Sequence, residues 1–277
     1  MTAGAAAQDR ARLAAVLGGF ERVAVAVSGG VDSMTLAWLA CRELGARARV
    51  FHAVSRAVPP EATARVQVYA ARADWRLQLV DAGELRDPAY LANPVDRCFF
   101  CKTDLYGTIA RHTDWPIASG ANLDDLGDFR PGLSAARDHG VRHPLIEAGI
   151  GKTGVRALAA AEGLDDLAEL PAAPCLSSRI ETGMPVTVGR LAFVLEAERL
   201  LAARLGPATL RCRVRRGGVV AELDEATLEA LPIAERAALT QALADLAARH
   251  GVGGNVLFAA YVRGSAFLHE RPRAGRA

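Results

Sequence analysis

Short apolar runs alternate with amphipathic segments through the first 170 residues of the chain. The short runs have the length of buried strands, and apolar positions in the longer segments recur as they do along a helix that faces a core. The predicted strands cover residues 22–27, 48–54, 76–81 and 116–119, and the predicted helices cover residues 33–44, 60–73, 99–112 and 152–162. This order predicts an α/β fold: a parallel sheet with helices on both faces and ligands at the carboxyl ends of its strands.

The pattern changes after about residue 170, where Pro171 and Pro174 flank a loop-like segment. Beyond it, the predicted helices cover residues 188–205 and 225–249, and the predicted strands cover residues 209–215, 219–223, 255–262 and 265–269. Glycines 217 and 218 suit a hairpin between two of these strands. We therefore predict two domains, an α/β domain over residues 1–170 and a smaller α+β domain over residues 171–277.

Composition narrows the class of protein. The chain has 277 residues, 51% of them hydrophobic, and no apolar run reaches the roughly 18 residues of a membrane-spanning helix. The Ala-rich start carries Asp9, Arg10 and Arg12 and has no unbroken apolar core, so it does not indicate a secretion signal. We expect a cytoplasmic protein with no membrane partner. The net charge of only +2 argues against nucleic acid as a partner.

A glycine-rich loop, Ser-Gly-Gly-Val-Asp-Ser, follows the first predicted strand and opens the first predicted helix. Such a loop presents backbone N–H groups and a helix N-terminus to phosphate, and its carboxylate is placed to hold Mg²⁺. No lysine follows the glycines, so γ-phosphate transfer of the Walker type is not predicted. The alternative is a tight turn and a helix cap. The predicted ATP-binding residues are Ser28, Gly29, Gly30, Asp32 and Ser33.

Five cysteines, an odd number, argue against a disulfide framework. Cys98 and Cys101 have a spacing that suits one metal or one cluster, and Cys175 lies in the proline-bounded loop. Three thiolates do not complete a tetrahedral zinc site, but they can hold a four-iron cluster with one iron left open. For the pair, the alternative is burial or zinc with a fourth ligand, and for Cys175 it is simple packing. Cys41 and Cys212 are predicted to be core residues.

Two further groups of polar residues are candidates for ligand contact. One group follows the fourth predicted strand and consists of Asn122, Asp124, Asp125, Asp128 and Arg130. These residues would contact phosphate, magnesium or substrate, and the alternative is that they are solvated surface. The other alternates along one predicted strand, so its members share a face that is either a phosphate site or an exposed basic surface: Arg211, Arg213 and Arg215. Lys102 and Lys152 are the only lysines, and Lys102, beside Cys101, would neutralise phosphate or cluster charge if it is not solvated.

The loop resembles the signature of the PP-loop ATP pyrophosphatases, which release pyrophosphate and leave AMP on an oxygen of the substrate. Residues 93–102, 120–133 and 174–180 together resemble the LarE family, and the resemblance runs from about Arg22 into the C-terminal domain. It implies an ATP- and Mg²⁺-dependent sulfurtransferase that adenylylates a carboxylate of a pyridinium mononucleotide in nickel-pincer nucleotide synthesis. It also implies a homo-oligomer.

The resemblance assigns roles to residues around Cys175. Asp32 and Cys175 would be catalytic, with Cys175 giving up its own sulfur, or Cys98, Cys101 and Cys175 would bind a [4Fe-4S] cluster that carries it. A neighbouring arginine is expected to favour the thiolate. The implied substrate-binding residues are Ser178, Arg179, Arg211, Arg213, Asp128, Glu198 and Glu222.

Two departures from the family pattern leave the sulfur acceptor open. Residues 181–183 read Glu-Thr-Gly where the family has Pro-Tyr-Gly, and residues 168–170 read Ala-Glu-Leu where it has Trp-Asp-Lys. A paralogue that acts on another carboxylate is therefore an alternative. So are a tRNA thiolase, an amidating ligase, which would leave the cysteines unexplained, and a non-enzymatic ATP-binding module.

Overall fold

A computed structural model describes residues 3–127, 129–206 and 208–267. These residues fall into two compact units, the first drawn from Met1–Asp87 and Cys98–Ala173 and the second from Pro88–Arg97 and Pro174–Ala277. The segment Pro88–Arg97 thus folds with the second unit, although its neighbours in sequence on both sides belong to the first.

A parallel sheet forms the centre of the first unit. Its strands are β1 (Val23–Val27), β2 (Ala48–Ala53), β3 (Leu77–Val80) and β4 (Ile117–Ser119). They lie in the order β3-β2-β1-β4, and every neighbouring pair is parallel. This order puts the residues that follow β1 and β4 at the same edge of the sheet, because parallel strands end on the same side.

Helices surround the sheet and also make up much of the second unit. In chain order they are α1 (Ala3–Gly18), α2 (Val31–Leu44), α3 (Pro60–Arg72), α4 (Pro88–Leu91), α5 (Arg97–His112), α6 (Pro131–Asp138), α7 (Pro144–Glu147), α8 (Lys152–Ala161), α9 (Asp165–Ala168), α10 (Val188–Leu205), α11 (Glu225–Ala230) and α12 (Ile233–Arg249).

The core of the first unit lies on both faces of the sheet. Val23, Val25 and Val27 of β1 belong to one buried cluster, which α1, α2 and α8 cover. Ala24 and Ala26 belong to a second cluster, which α5 and α6 cover. Alternate residues of a strand point to opposite faces, so β1 is buried on both sides. The predicted α/β class, with helices on both faces of a parallel sheet, is confirmed.

The second unit has its own mixed sheet. Strands β5 (Leu210–Arg215) and β6 (Gly218–Leu223) form an antiparallel hairpin, and β7 (Asn255–Ala260) adds to β6 in parallel. Helix α10 packs against β5, and α12 packs against α10 and β7. The smaller α+β part of the fold class is therefore confirmed as well.

Two expectations for the elements were wrong, and one helix was missed. The helix predicted over residues 225–249 is two helices, because Leu231 leaves the helical backbone and Pro232 caps the second one. The strand predicted over residues 265–269 is a turn in its described part, and residues 268 and 269 lie outside the described residues. Helix α1 was not predicted, although its Leu13 and Leu17 are fully buried in the core. Along the described residues, no helix combines the length and the apolar character needed to cross a membrane.

Candidate functional site

The loop after β1 is held in shape by its own serines. The Ser28 N–H donates to Ser33 Oγ at 3.1 Å, and Ser33 Oγ donates to the Gly30 carbonyl at 3.2 Å. The two hydroxyl oxygens, Ser28 Oγ and Ser33 Oγ, are 3.2 Å apart and share a hydrogen bond. Ser33 is buried and Ser28 is exposed. Ser33 therefore shapes the loop, and the Ser28 hydroxyl is at the surface where a phosphate would bind.

Close packing requires glycine at two positions around this loop. Gly29 has φ +82°, and a Cβ there would lie 2.8 Å from the Ala62 carbonyl oxygen of α3. Gly120, just after β4, approaches the loop so closely that a Cβ would lie 2.6 Å from the Cα and N atoms of Ser33. The end of β4 is thus packed directly against the first turn of α2.

Gly30 is the N-cap residue of α2, and it makes no side-chain capping hydrogen bond with the described residues. Unsatisfied N–H groups at a helix start carry partial positive charge and bind anions. The loop therefore has the backbone chemistry of a phosphate site.

Asp32 faces two side chains that come from distant parts of the sequence. Lys152 Nζ lies 2.6 Å from Asp32 Oδ2, and Asn122 Nδ2 donates to Asp32 Oδ1 at 3.3 Å. Sequence reasoning assigned no role to Lys152, and its only signal was that lysine is almost absent from an arginine-rich chain. The structure thus places an ammonium group beside the carboxylate at the mouth of the loop.

The acidic residues after β4 are engaged with neighbouring groups. Asp124 Oδ2 accepts from the Lys152 backbone N–H at 2.6 Å, which caps α8. Asp125 accepts from the Asn122 backbone N–H at 3.1 Å and pairs with Arg130 at 2.8 Å. These contacts fix the position of Asn122 and Lys152 against Asp32. Asp128, predicted to bind substrate, lies outside the described residues.

Cys98 and Cys101 lie in the first two turns of α5, and both are half-buried. Residues three apart on a helix share a face, so the two thiols project from the same side. Among the described residues, no three His, Cys, Asp or Glu side chains are grouped as a metal site requires.

The segment around Cys175 is organised by a buried arginine. The Arg179 guanidinium makes a bidentate ion pair with Glu198, at 2.9 and 3.0 Å, and donates to the Pro174 and Cys175 carbonyls at 2.6 and 3.2 Å. Arg179 is only 3% exposed, whereas the Cys175 side chain is half-buried. Ser178 Oγ also donates to the Cys175 carbonyl, at 2.7 Å. Arg179 and Ser178 therefore hold the backbone of Cys175 and leave its thiol partly accessible.

A second set of polar contacts supports the same segment from Pro88–Arg97. Asn93, with φ +55°, donates to the carbonyls of Glu181 and Met184, each at 2.9 Å. Arg97 donates to Asn93 Oδ1 and to the Ser177 carbonyl. In the sequence, this segment contributed only to the resemblance to the LarE family. An Asn-Pro pair signals a turn, but nothing local indicates its partner about 90 residues away.

Two of the predicted substrate-binding residues form a buried ion pair. Arg213 is 4% exposed and Glu222 is 2% exposed, and their side chains meet at 3.0 Å. Glu222 also accepts from Arg215 at 3.0 Å and from Ser265. The arginine face of β5, predicted to be a phosphate site or an exposed basic surface, is therefore largely buried.

Arg211 differs from its two neighbours on β5. It is half-buried, its guanidinium donates to the Leu210 carbonyl, and it lies over the Tyr261 ring. Burial lowers the pKa of Arg211, the charge of Arg179 lowers it further, and the charge of Glu198 acts in the opposite direction. A guanidinium in such surroundings would be stabilised by an added anion.

The two remaining cysteines lie in apolar surroundings. Burial raises the pKa of the Cys41 thiol to about 12, and burial likewise raises the pKa of Cys212, which is fully enclosed. Thiols of this kind are unreactive at neutral pH. The prediction that both are core residues is confirmed for Cys212, and Cys41 packs against the core from a partly buried position.

Comparison with known proteins decides the family. No protein-family model matches the chain. Pyridinium-3,5-bisthiocarboxylic acid mononucleotide synthase of Lactiplantibacillus plantarum is 32% identical over 228 residues, which are 80% of this chain and 82% of that protein. The chain belongs to the LarE family. An uncharacterised Synechocystis protein is 40% identical over 71% of this chain and 74% of its own length. An uncharacterised protein of Methanocaldococcus jannaschii is 22% identical over 65% of this chain and 69% of its own length.

Residues 181–183, which depart from the sequence pattern of the LarE family, make backbone hydrogen bonds and an ion pair. The Glu181 N–H donates to the Val214 carbonyl at 2.9 Å, and the Gly183 N–H donates to the Asn93 carbonyl at 2.8 Å. The Glu181 side chain pairs with Arg216 at 3.2 Å. This stretch therefore joins the Cys175 segment to the end of β5 within the second unit.

Proposed function

We propose that this LarE-family chain is an ATP-dependent sulfurtransferase of nickel-pincer nucleotide synthesis, which adenylylates a pyridinium mononucleotide carboxylate and replaces AMP with sulfur. The observation that carries the proposal is the loop at the start of α2, with a helix N-terminus that has no side-chain cap among the described residues and with Asp32 and Lys152 in contact at its mouth. The name of the Lactiplantibacillus plantarum relative supports the substrate class.

In the first step, a carboxylate oxygen of the substrate attacks the α-phosphorus of ATP, and pyrophosphate leaves. The loop N–H groups and the Ser28 hydroxyl bind phosphate oxygens. Asp32 would hold Mg²⁺, which neutralises phosphate charge, and one carboxylate suffices because Mg²⁺ takes its other ligands from phosphates and water. Lys152 would then release Asp32 and turn its ammonium toward the departing pyrophosphate.

In the second step, the Cys175 thiolate attacks the acyl carbon, and AMP leaves with the electron pair of the bond that breaks. The resulting thioester yields the product when a base removes the Cα hydrogen of Cys175 and the Cβ–S bond breaks. Sulfur stays on the substrate as a thiocarboxylate, and dehydroalanine remains in the chain. Arg179 and Ser178 hold the Cys175 carbonyl, which supports a fixed orientation of this residue.

A [4Fe-4S] cluster on Cys98, Cys101 and Cys175 is the other sulfur carrier that the resemblance implies. The spacing of Cys98 and Cys101 suits binding of one cluster. Among the described residues, however, no three metal-ligating side chains lie close together. We derive no step through a cluster, and the route through the Cys175 thiolate is the one proposed.

Arg211 and Arg213 of β5 are the proposed substrate-binding arginines, and Arg213 is held by its ion pair with Glu222. Glu198 and Glu222 then act by holding Arg179 and Arg213 in place.

We also propose a homo-oligomer, which light scattering would measure. The exposed Leu257 on the edge strand β7 and the exposed Ile233 are consistent with association.

The experiment that tests the function measures nucleotide products with and without a pyridinium dicarboxylate mononucleotide. We expect AMP and pyrophosphate in equal amounts, dependent on the carboxylate. Cys175→Ala should still release pyrophosphate but form no thiocarboxylate, and Cys41→Ala, a matched thiol control, should do both. Production of ADP, or thiocarboxylate formation by Cys175→Ala, would contradict the proposal. If only other carboxylates, or a tRNA, were active, the substrate would need revision but the loop chemistry would not.

A further inference from the structure

The second unit contains a pocket that none of the proposed chemistry uses. Its volume is about 340 Å³, and it lies where the β5–β6 hairpin, the start of α10 and the turn before β7 meet. Arg190, Arg215 and Arg216 line it together with the glycine-rich turn Gly251–Gly254, and Met184 is one of its apolar residues. Pockets at the low end of the usual small-molecule range have about this volume.

Positive charge is in excess around the pocket. Arg215 pairs with Glu222, which Arg213 also shares, and Arg216 pairs with Glu181. Within the described residues, Arg190 has no carboxylate at ion-pair distance. Its guanidinium donates to the Pro185 carbonyl, which fixes its position without neutralising it.

The pocket also has hydrogen-bond capacity that the described residues do not use. In the turn before β7, the Asn255 N–H donates to the Gly217 carbonyl, whereas the N–H groups of Gly253 and Gly254 donate to no described acceptor. Gly251, which follows the end of α12, and Gly254 have φ +67° and +96°, a backbone that favours glycine.

We propose that this pocket binds the phosphate monoester group of a mononucleotide. Guanidiniums that converge with free backbone N–H groups match the several oxygens of a phosphate better than the two oxygens of a carboxylate. Met184 and Val214 offer apolar contact for a base or ribose. The pocket is built from residues different from those of the Ser28–Ser33 loop, so it is a second anion site and does not depend on sulfur transfer.

Two sources of such a phosphate are distinguishable, a pyridinium mononucleotide and AMP. Calorimetric titrations would use nicotinic acid mononucleotide, AMP and the two corresponding nucleosides. Saturating Mg²⁺ and α,β-methylene ATP would occupy the loop, so that binding there does not contribute. We expect each mononucleotide that fits to bind at least about tenfold more tightly than its nucleoside, because charge-assisted hydrogen bonds are lost with the phosphate.

Variants locate the site. Arg190→Gln and Arg216→Gln should each weaken mononucleotide binding about tenfold, with little change in nucleoside binding. Arg204→Gln is the matched control on the same helix as Arg190, since it removes an exposed arginine whose partner is Glu235, and it should change nothing. Thermal unfolding of each variant would show that the fold is retained.

Preference for the pyridinium mononucleotide would assign the pocket to the substrate, and preference for AMP would assign it to the product. Equal binding would assign it to phosphate alone. Equal affinities for nucleotide and nucleoside, or unchanged affinity in Arg190→Gln and Arg216→Gln, would overturn the proposal. These titrations need no turnover, so their outcome is separate from whether the chain releases pyrophosphate.

Discussion

At the scale of single residues, Asp32 and Lys152 form the contact most directly tied to nucleotide chemistry. They are 120 residues apart in sequence, yet their charged atoms lie 2.6 Å from each other. The pair keeps the carboxylate neutralised while no cation is bound. A cation at Asp32 would displace the ammonium toward the phosphates, because like charges repel and phosphate attracts it.

We expect Lys152→Ala to lower kcat/KM for pyrophosphate release about a hundredfold, because a positive charge that stabilises the leaving group is lost. Lys152→Arg keeps the charge and should lose only about tenfold, as a guanidinium does not reproduce the ammonium geometry. A continuous pyrophosphate assay measures both. Arg76→Ala, an exposed cation of the same unit, is the control. An unimpaired Lys152→Ala would remove Lys152 from the mechanism.

Arg179 and Glu198 are the residues on which the position of Cys175 depends. We expect Glu198→Ala to lower the free energy of unfolding by about 3 kcal/mol, because it leaves the buried guanidinium without its anion. Glu235→Ala breaks the exposed pair with Arg204 and should cost less than about 1 kcal/mol. Urea denaturation followed by circular dichroism compares them. Equal effects of the two changes would show that the buried pair does not hold this segment.

At the scale of elements, the strands and the large helices of the first unit were predictable from apolar periodicity. Strand β1 is buried on both faces, so its sequence is a continuous apolar run. The break between α11 and α12 was missed, although Pro232 is a local signal for it because proline cannot continue a helix. The Arg213–Glu222 pair was not predictable from the sequence, since Glu222 stands opposite Arg211 in the hairpin register and its carboxylate reaches Arg213 and Arg215 instead.

The contact between β4 and α2 gives a prediction for the sheet edge. We expect Gly120→Ala to weaken ATP binding at least about tenfold, because the new Cβ meets the Ser33 backbone and overpacking costs about 1–3 kcal/mol. Gly127→Ala is the matched control, since no atom of the described residues lies within 4 Å of a Cβ there. Titration with α,β-methylene ATP measures both variants. Equal affinities would show that the loop tolerates displacement by this strand.

At the scale of the whole molecule, the chain combines a unit that carries the Ser28–Ser33 loop and a unit that carries Cys175. The fold class followed from the order of elements, and the loop followed from its residues. The assignment of Pro88–Arg97 to the second unit could not be foreseen, because it depends on Asn93 and Arg97 meeting residues far along the chain. Lys152 was missed for the same reason.

The central claim is that adenylylation leads to sulfur transfer from Cys175. It is tested most directly by the mass of the protein, purified without oxygen, before and after one turnover with ATP, Mg²⁺ and a pyridinium dicarboxylate mononucleotide. The account predicts that the Cys175 peptide loses the mass of one hydrogen sulfide, in proportion to the pyrophosphate released and the thiocarboxylate formed. Thiocarboxylate formed while Cys175 keeps its mass, with loss of activity in Cys98→Ala and Cys101→Ala, would contradict it.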